Sequence, residues 1–501
     1  MKIFNANQIR KADAFTITHE PVTSLKLMER AAEACAKWLL NRFPGSVTFQ
    51  IFCGTGNNGG DGLALARLLH HEGFRTHVFI NKNVTQFSED GLVNLQRVRE
   101  NPGIGCHYFD ELDGFQFDGN SVIIDALFGT GLNRPLEEEC ALLVAQLNSL
   151  QFPKISIDIP SGLLADETFL TDSEVFKADV TLSFQYWKRA FLHPETGKFT
   201  GDVHLLDIGL QKDFSENEPT ENFVISEDMI LKIYRPRNDF SHKGSYGSTK
   251  IISGSFGKMG AAVLAVKAAL RCGSGLTTVQ APDCGYDVLQ LACPEAIFVS
   301  GGSKYITAID FAPEESKESI GIGPGLGTND ETAVALLTFL KNFERPLVAD
   351  ADALNILAKN AENLSLLPEN SIITPHPKEF ERLFGSVANS FDRLSLAREK
   401  ARQYAIFIIL KDHHTQIITP EGKVYYNVTG NSGMAKGGSG DALLGIITAL
   451  LAQGYSSQEA SIFGVWLHGK AGDLAARKFS KESMLATDLI EALGPVFMSL
   501  N

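Results

Sequence analysis

Three runs early in the chain collect amides, carboxylates, a hydroxyl and glycines: Gly54-Thr-Gly-Asn-Asn-Gly-Gly-Asp61, Asp125-Ala-Leu-Phe-Gly-Thr-Gly-Leu-Asn-Arg-Pro135 and Asp158-Ile-Pro-Ser-Gly162. In the first, glycines let backbone N–H groups approach an anion, and a helix opening there adds its partial positive charge. The run also reads as G-x-G-x-x-G, but a dinucleotide fold of that kind wants an acidic residue at the end of its second strand. This chain has Ile80-Asn81-Lys82 there, which speaks against ordinary redox use of NAD. A tight strand-to-helix turn would also explain the glycines, though not the Asn-Asn pair and Asp61. Asn58, Asp125 and Ser161 offer hard oxygen ligands suited to a cation. Lone acidic residues at strand ends serve equally as helix caps.

A fourth run, Thr429-Gly-Asn-Ser-Gly-Met-Ala-Lys-Gly-Gly-Ser-Gly-Asp441, leads directly into the apolar stretch Ala442–Leu451. Successive N–H groups at a helix start form an anion hole for a transferring phosphoryl group. Asp441, at its tip, can take a proton from a hydroxyl attacking phosphorus. The bland reading is a flexible connector with a capping aspartate. Five glycines in thirteen residues are costly to order without a ligand.

These runs need elements to hold them. Val47–Cys53 is strand-like, Gly54–Gly62 a loop, Leu63–His71 a helix by its leucine spacing, and Thr76–Ile80 the next strand. Strands follow at Val122–Leu127, Ile155–Ile159, Val180–Phe184 and Val203–Leu206, with two helices expected within Met1–Phe43. Alternating strands and helices imply a Rossmann-like, doubly wound parallel sheet, whose ligands sit at the carboxyl ends of strands. The three polar runs then converge on one crevice. A polar segment, Lys212–Asn222, is the linker candidate.

Beyond it the pattern restarts, with a strand at Lys250–Ser253, a Gly-rich turn at Gly254–Gly260 and a helix at Ala261–Cys272. Strand-and-turn units follow at Ile320–Gly327, Leu347–Asp352, Ile372–His376 and Ile406–Leu410, then a hairpin of Thr415–Thr419 with Lys423–Tyr426. The expected organisation is two α/β domains, residues 1–217 and 223–501, fused rather than duplicated.

At 501 residues more than one core is the default. A net charge of −14 repels polyphosphate backbones and anionic lipid, so neither nucleic acid nor a membrane surface is an expected partner. No apolar run approaches the roughly 18 residues of a membrane span, and the polar start of the chain does not read as a secretory signal. Seven scattered cysteines without a C-x-x-C pair fit reduced thiols in a cytoplasmic protein.

GNNGGDG, DALFGTGLNRP and DIPSGL, in that order and with Asp207-Ile-Gly-Leu210 behind them, resemble the YjeF N-terminal family, whose bacterial members are NAD(P)H-hydrate epimerases. The likeness covers about residues 1–210. It implies that Asn57, Asn58, Gly59, Gly60 and Asp61, with Gly129, Thr130, Gly131, Leu132, Asn133, Arg134 and Pro135, hold the substrate. Asn58, Asp125 and Ser161 would hold a potassium ion. Asp158 would contact the hydrated ring and act as the acid–base residue, since inverting a hydroxyl-bearing carbon moves protons at the ring. Lys188 either assists or is a solvated lysine.

The later half resembles the ribokinase-like superfamily and, within it, the ADP-dependent hydrate dehydratases. His242-Lys-Gly-Ser-Tyr-Gly247, Gly254–Ala262, Gly323-Pro-Gly-Leu-Gly327, Asp350-Ala-Asp-Ala-Leu-Asn355 and Thr374-Pro-His-Pro-Lys-Glu379 carry the likeness together with the run ending at Asp441. It implies that Ala261, Gly325, His376 and Asp441 touch the hydrated nucleotide. Lys411, Asp412, His413, His414, Thr415 and Gly440 would touch the adenylate, with magnesium on the ADP phosphates. The family's Lys-Gly is Lys411-Asp412 here, so the aspartate either faces away or alters adenylate affinity. His376 also fits a satisfied loop histidine.

The implied chemistry is metabolite repair: R and S hydrates of NADH or NADPH interconvert at the first site. The S hydrate is dehydrated at the second at the expense of ADP, giving AMP and phosphate. Small molecules are the expected partners, in a homo-oligomer. One rival is an ATP-dependent small-alcohol kinase; another treats the first half as a non-catalytic binding module. The intact Asn57–Asp61 run and Asp158 weigh against the second, and the fused first half against the first.

Overall fold

A computed structural model describes residues 1–81, 86–109, 117–168, 173–310 and 318–500. Lys82, at the end of the sequence reading of the second strand, lies outside the described residues. The chain forms two compact units, Lys2–Thr220 and Glu221–Asn501, the latter together with Met1.

In the first unit, β1 (Thr48–Cys53), β2 (Arg75–Asn81), β3 (Gly105–Phe109), β4 (Ser121–Ala126), β5 (Lys154–Ile157), β6 (Val180–Phe184) and β7 (Asp202–Leu206) form one sheet. Its order is β3-β2-β1-β4-β5-β6-β7, and every pair is parallel. The winding reverses between β1 and β4, the place where an open parallel sheet presents a crevice beyond its carboxyl ends. β1 and β4 are buried along their whole length, because helices cover both faces of such a sheet.

The glycine run after β1 is not the expected loop up to Gly62. The helix spans Asn57–His71 and starts inside it. Glycine weakens a helix by about 1 kcal/mol, but here close packing requires it. A Cβ on Gly59 would lie 1.9 Å from the carbonyl oxygen of Gly54. The linker candidate is not irregular throughout: Lys212–Asn217 is helical and Asn222 begins a strand, while the boundary between the two units falls inside the segment, between Thr220 and Glu221. Phe214 anchors that helix, its ring packed on Phe4 and Phe15.

The second unit holds β8 (Asn222–Val224), β9 (Ser248–Ile252), β10 (Leu276–Ala281), β11 (Ile297–Ser300), β12 (Glu318–Ile322), β13 (Val348–Ala349), β14 (Ile372–Ile373), β15 (Phe407–Leu410), β16 (Gln416–Ile418) and β17 (Val424–Tyr426). They run in the order β11-β10-β9-β12-β13-β14-β15-β16-β17-β8, antiparallel only where the β16 hairpin pairs on either side. β13 and β14 are shorter than expected because Asp350 and His376 are N-caps of the helices Ala351–Leu357 and Pro377–Phe384. β3, β8, β10 and β11 were not legible as strands. In β10, Thr277, Thr278 and Gln280 are buried polar residues that break the apolar run. The helix Ser439–Ala452, apolar on all sides, packs on Met259–Arg271 in the core. Gly445 permits the approach: a Cβ there would meet the Ala265 carbonyl oxygen at 2.1 Å.

Candidate functional site

In the first unit a cavity of about 610 Å³ opens at the β1/β4 crevice. Asn57, Asn58, Asp61, Gly129, Thr130, Gly131, Leu132, Asn133, Arg134 and Asp158 all line it. Gly59 and Gly60 do not: Gly59 serves the helix–strand contact, and Gly60 faces Met28. Pro135 is exposed and also off the wall.

Asp158 ends β5 early because its φ is +67°, a conformation that strains a non-glycine residue and recurs at functional sites. Its N–H donates to the Leu182 carbonyl at 2.7 Å, which ties the strained residue to the sheet. Its Oδ2 accepts from the Thr130 N–H at 3.2 Å. Its Oδ1 accepts from Lys188 Nζ at 2.6 Å. Lys188 is wholly buried, not solvated, and its ammonium also donates to Ser183 Oγ. The flanking Tyr186, Trp187, Ala190, Phe191 and Leu192 were the available signal that this lysine turns inward.

Asn58 is 7% exposed, and neither its amide oxygen nor its amide nitrogen has a partner. A buried amide in that state calls for a ligand. Asp125 is fully buried and, among the described residues, pairs with no lysine or arginine. Its carboxylate accepts from the N–H groups of Leu127 and Ser161 and from the hydroxyls of Ser156 and Ser161. Burial pushes its carboxyl up, against those hydrogen bonds. Ser161 Oγ in turn accepts from the Phe128 N–H at 2.9 Å. An unpartnered amide oxygen and a buried carboxylate lacking a counter-charge fit a monovalent cation.

Asp13 carries a carboxyl that sequence reasoning missed. It comes from the helix Ala6–His19, whose Ile9, Asp13 and Ile17 line the cavity at i, i+4 and i+8. An aspartate between two isoleucines on an inward stripe was the signal. Asp61 is held well above the usual carboxylate range, by burial first and then by Asp158, Asp13 and Asp90.

In the second unit Asp441 is not at a loop tip but in the first turn of Ser439–Ala452. The N-cap Gly438, at φ +94°, leaves the helix start without a side-chain cap. Burial first, then the charges of Asp350 and Asp352 against Lys411, push the Asp441 carboxyl up to about 6. Lys411 Nζ donates to Asp350 Oδ1 at 2.8 Å and lies 3.9 Å from Glu379 Oε2. A Cβ placed on Gly440 would lie 3.4 Å from both Asp350 and Lys411. Lys411 and Gly440 thus stand beside Asp441, around a carboxylate cluster.

His376 is the N-cap of its helix: Nδ1 accepts from Lys378 and Glu379 N–H groups, and Nε2 lies 3.3 Å from Glu379 Oε1. That is the satisfied-histidine geometry, with the ring still partly exposed. Gly325 and Ala261 are neighbours, a Cβ on Gly325 falling 3.1 Å from that of Ala261. Asp412 turns toward Arg393, at 3.3 Å, and accepts from the His413 N–H. His414 Nδ1 lies 3.3 Å from the Asn427 carbonyl, and burial holds this imidazole down to about 4. Thr415 Oγ1 reaches back to the Asp412 carbonyl. Among the described residues no group of three acidic, histidine or cysteine side chains could hold a metal alone.

Two family models match the chain: YjeF-related protein N-terminus over residues 24–190 and NAD(P)H-hydrate dehydratase over 249–495. The bifunctional NAD(P)H-hydrate repair enzyme of Escherichia coli is 34% identical over 98% of this chain and 93% of its own. That of Moorella thermoacetica is 32% identical over 100% and 97%. The chain belongs to the family of bifunctional NAD(P)H-hydrate repair enzymes. A solved ADP/ATP-dependent NAD(P)H-hydrate dehydratase from Bacillus subtilis, co-crystallised with ATP and magnesium, is 30% identical, covering 56% of this chain and 99% of its own at a TM-score of 0.50. No described helix is long and apolar enough to cross a membrane.

Proposed function

We propose that this chain repairs hydrated NAD(P)H in two steps, R/S interconversion in the first unit and dehydration of the S hydrate in the second. The reading rests on the buried Lys188–Asp158 pair, whose carboxylate faces a cavity that also holds the unpartnered amide of Asn58. A rigid turn with no catalytic task would need neither a positive φ at aspartate nor a buried ammonium beside it.

In the first unit the glycine-capped start of Asn57–His71 and the 129–134 loop bind and orient the dinucleotide, and Asp158 moves the proton at the ring hydroxyl. Potassium fits at Asn58 with Asp125 and Ser161, where it would supply a counter-charge next to the dinucleotide. In the second unit Asp441 takes the proton of the ring hydroxyl as that oxygen attacks the terminal phosphorus of ADP. AMP leaves, and phosphate then departs with a ring proton lost from the neighbouring carbon, restoring the dihydronicotinamide. Lys411 and the N–H groups at Gly440 steady the transferring charge. Magnesium would screen the phosphates. Seven free cysteines support a reducing, cytoplasmic setting.

The test is incubation of the purified chain with racemic NADH hydrate and either ADP or ATP, followed by the return of dihydronicotinamide absorbance. Full recovery with ADP is expected. Recovery with ATP alone sinks the choice of donor, and no recovery with either sinks the reading.

A further inference from the structure

Water adds to the enamine double bond of a dihydronicotinamide with its oxygen on the carbon bonded to nitrogen, so the hydrate is a hemiaminal. Inverting that carbon needs two proton positions. A base takes the hydroxyl proton while the C–N bond breaks, its electron pair passing to nitrogen and the C–O bond becoming a carbonyl. An acid then protonates nitrogen. Rotation about the adjacent carbon–carbon bond presents the opposite face, and the same two transfers in reverse close the ring. No electrons are gained or lost, and the two protons return. One carboxylate supplies half of this.

We propose that Asp13, from the first helix, is the second acid–base carboxyl of the epimerising site, paired in function with Asp158 and facing the same cavity. The proposal rests on the epimerase reading of that cavity. Three observations support it. Asp13 interrupts the inward stripe of Ile9 and Ile17, a position where a carboxyl has no packing value. Asp158 already has an ammonium, Lys188, whereas no ion pair joins Asp13 to a lysine or arginine among the described residues. The Asn58 amide, nine-tenths buried and unpartnered, lines the same cavity and marks it as a place where a polar ligand group sits.

Protonation fits the task. Burial first, then the charge of Asp158 against that of Lys188, moves the Asp13 carboxyl up to about 7. The groups that face it are Asp158, Lys188, Asp61 and Tyr186, with Arg10 also on the cavity wall. Near neutral pH Asp13 therefore exists in both forms, which is what a group acting as acid in one direction and base in the other requires.

The experiment uses the full chain with racemic hydrate and ADP. The S portion is consumed quickly, and the slow second phase reads R-to-S interconversion. Asp13→Asn is expected to slow that second phase by about 10²-fold or more, with hydrate binding to the first unit changed less than about threefold and the first phase unchanged. Asp13→Glu should recover part of the rate, and the wild-type inflection of the second phase near pH 7 should vanish in Asp13→Asn. A second phase in Asp13→Asn equal to wild type, with the same pH profile, overturns the proposal. So does a loss of rate matched by an equal loss of binding, which makes Asp13 only part of the wall. If the wild-type chain never interconverts the hydrates, the epimerase reading falls and Asp13 with it. Wild-type interconversion with an indifferent Asp13→Asn brings down the proposal alone.

Discussion

Asp158 and Asp441 are the same side chain put to two uses. Asp158 follows a parallel strand, is strained at φ +67° and has the buried ammonium of Lys188 at 2.6 Å. Asp441 sits in an uncapped first helical turn, where burial first and then the charge of Asp350 raise its carboxyl to about 6 against Lys411. One carboxylate has its charge balanced by the protein. The other waits in an acidic cluster beside exposed backbone N–H groups, where an incoming magnesium–phosphate would supply the balance. Environment, not residue type, divides the roles.

The sharpest way to break that comparison is to neutralise each aspartate in turn. Asp441→Asn should slow dehydration by about 10²- to 10⁴-fold, the usual range for a lost acid–base group, while R-to-S interconversion continues. Asp158→Asn should do the converse, leaving a fast S phase and a residual R phase limited by spontaneous epimerisation. Stopped-assay chromatography of the two hydrates reads both. A single variant that remains folded yet abolishes both activities would contradict two separate sites.

A smaller effect separates the two carboxyls by pH. The folded-state value of Asp441 lies above its ordinary one, so its contribution to stability is full below about pH 4 and lost as pH rises through about 6. Asp441→Asn removes that loss. At pH 8 the variant's second unit should be more stable than wild type by at most about 3 kcal/mol, read as melting at a higher temperature. The gap should close toward pH 4. A gap of the same size at both pH values would show that the carboxyl is not raised.

The smallest expected change concerns the adenylate segment. Arg393 pairs with Asp412, the residue next to Lys411. Arg393→Ala should raise KM for ADP roughly two- to fivefold, the worth of an ion pair of about 1 kcal/mol or less, with kcat unchanged. Adding Asp412→Gly should restore the wild-type KM. If it does not, the pair has no bearing on the nucleotide.

Much of the fold was legible because strand and helix periods survive in sequence. Ten of the expected strands lie within two residues of β1, β2, β4, β5, β6, β7, β9, β15, β16 and β17 at both ends. The polar runs were legible as well, since amides and glycines clustered after strands have few other uses. What failed has a common cause. β10 hides behind buried Thr277, Thr278 and Gln280, and the Gln280 amide finds its partners, the Ser300 and Ala308 carbonyls, only at a distance along the chain. The turn at Asn57–Gly62 looked like a loop because helix propensity disfavours glycine, whereas close packing against Gly54 demands it.

Sequence alone therefore determined the two-part α/β plan, the family likeness and the identity of Asn58, Asp158 and Asp441 as candidates, because these are written in local period and local motif. Only the tertiary structure decided which lysine meets which aspartate: Lys188 with Asp158, Lys411 with Asp350. Only it brought Asp13 to the cavity and turned Asp412 toward Arg393. Charge and burial at a site are sums over groups far apart along the chain, and folding alone sets their distances.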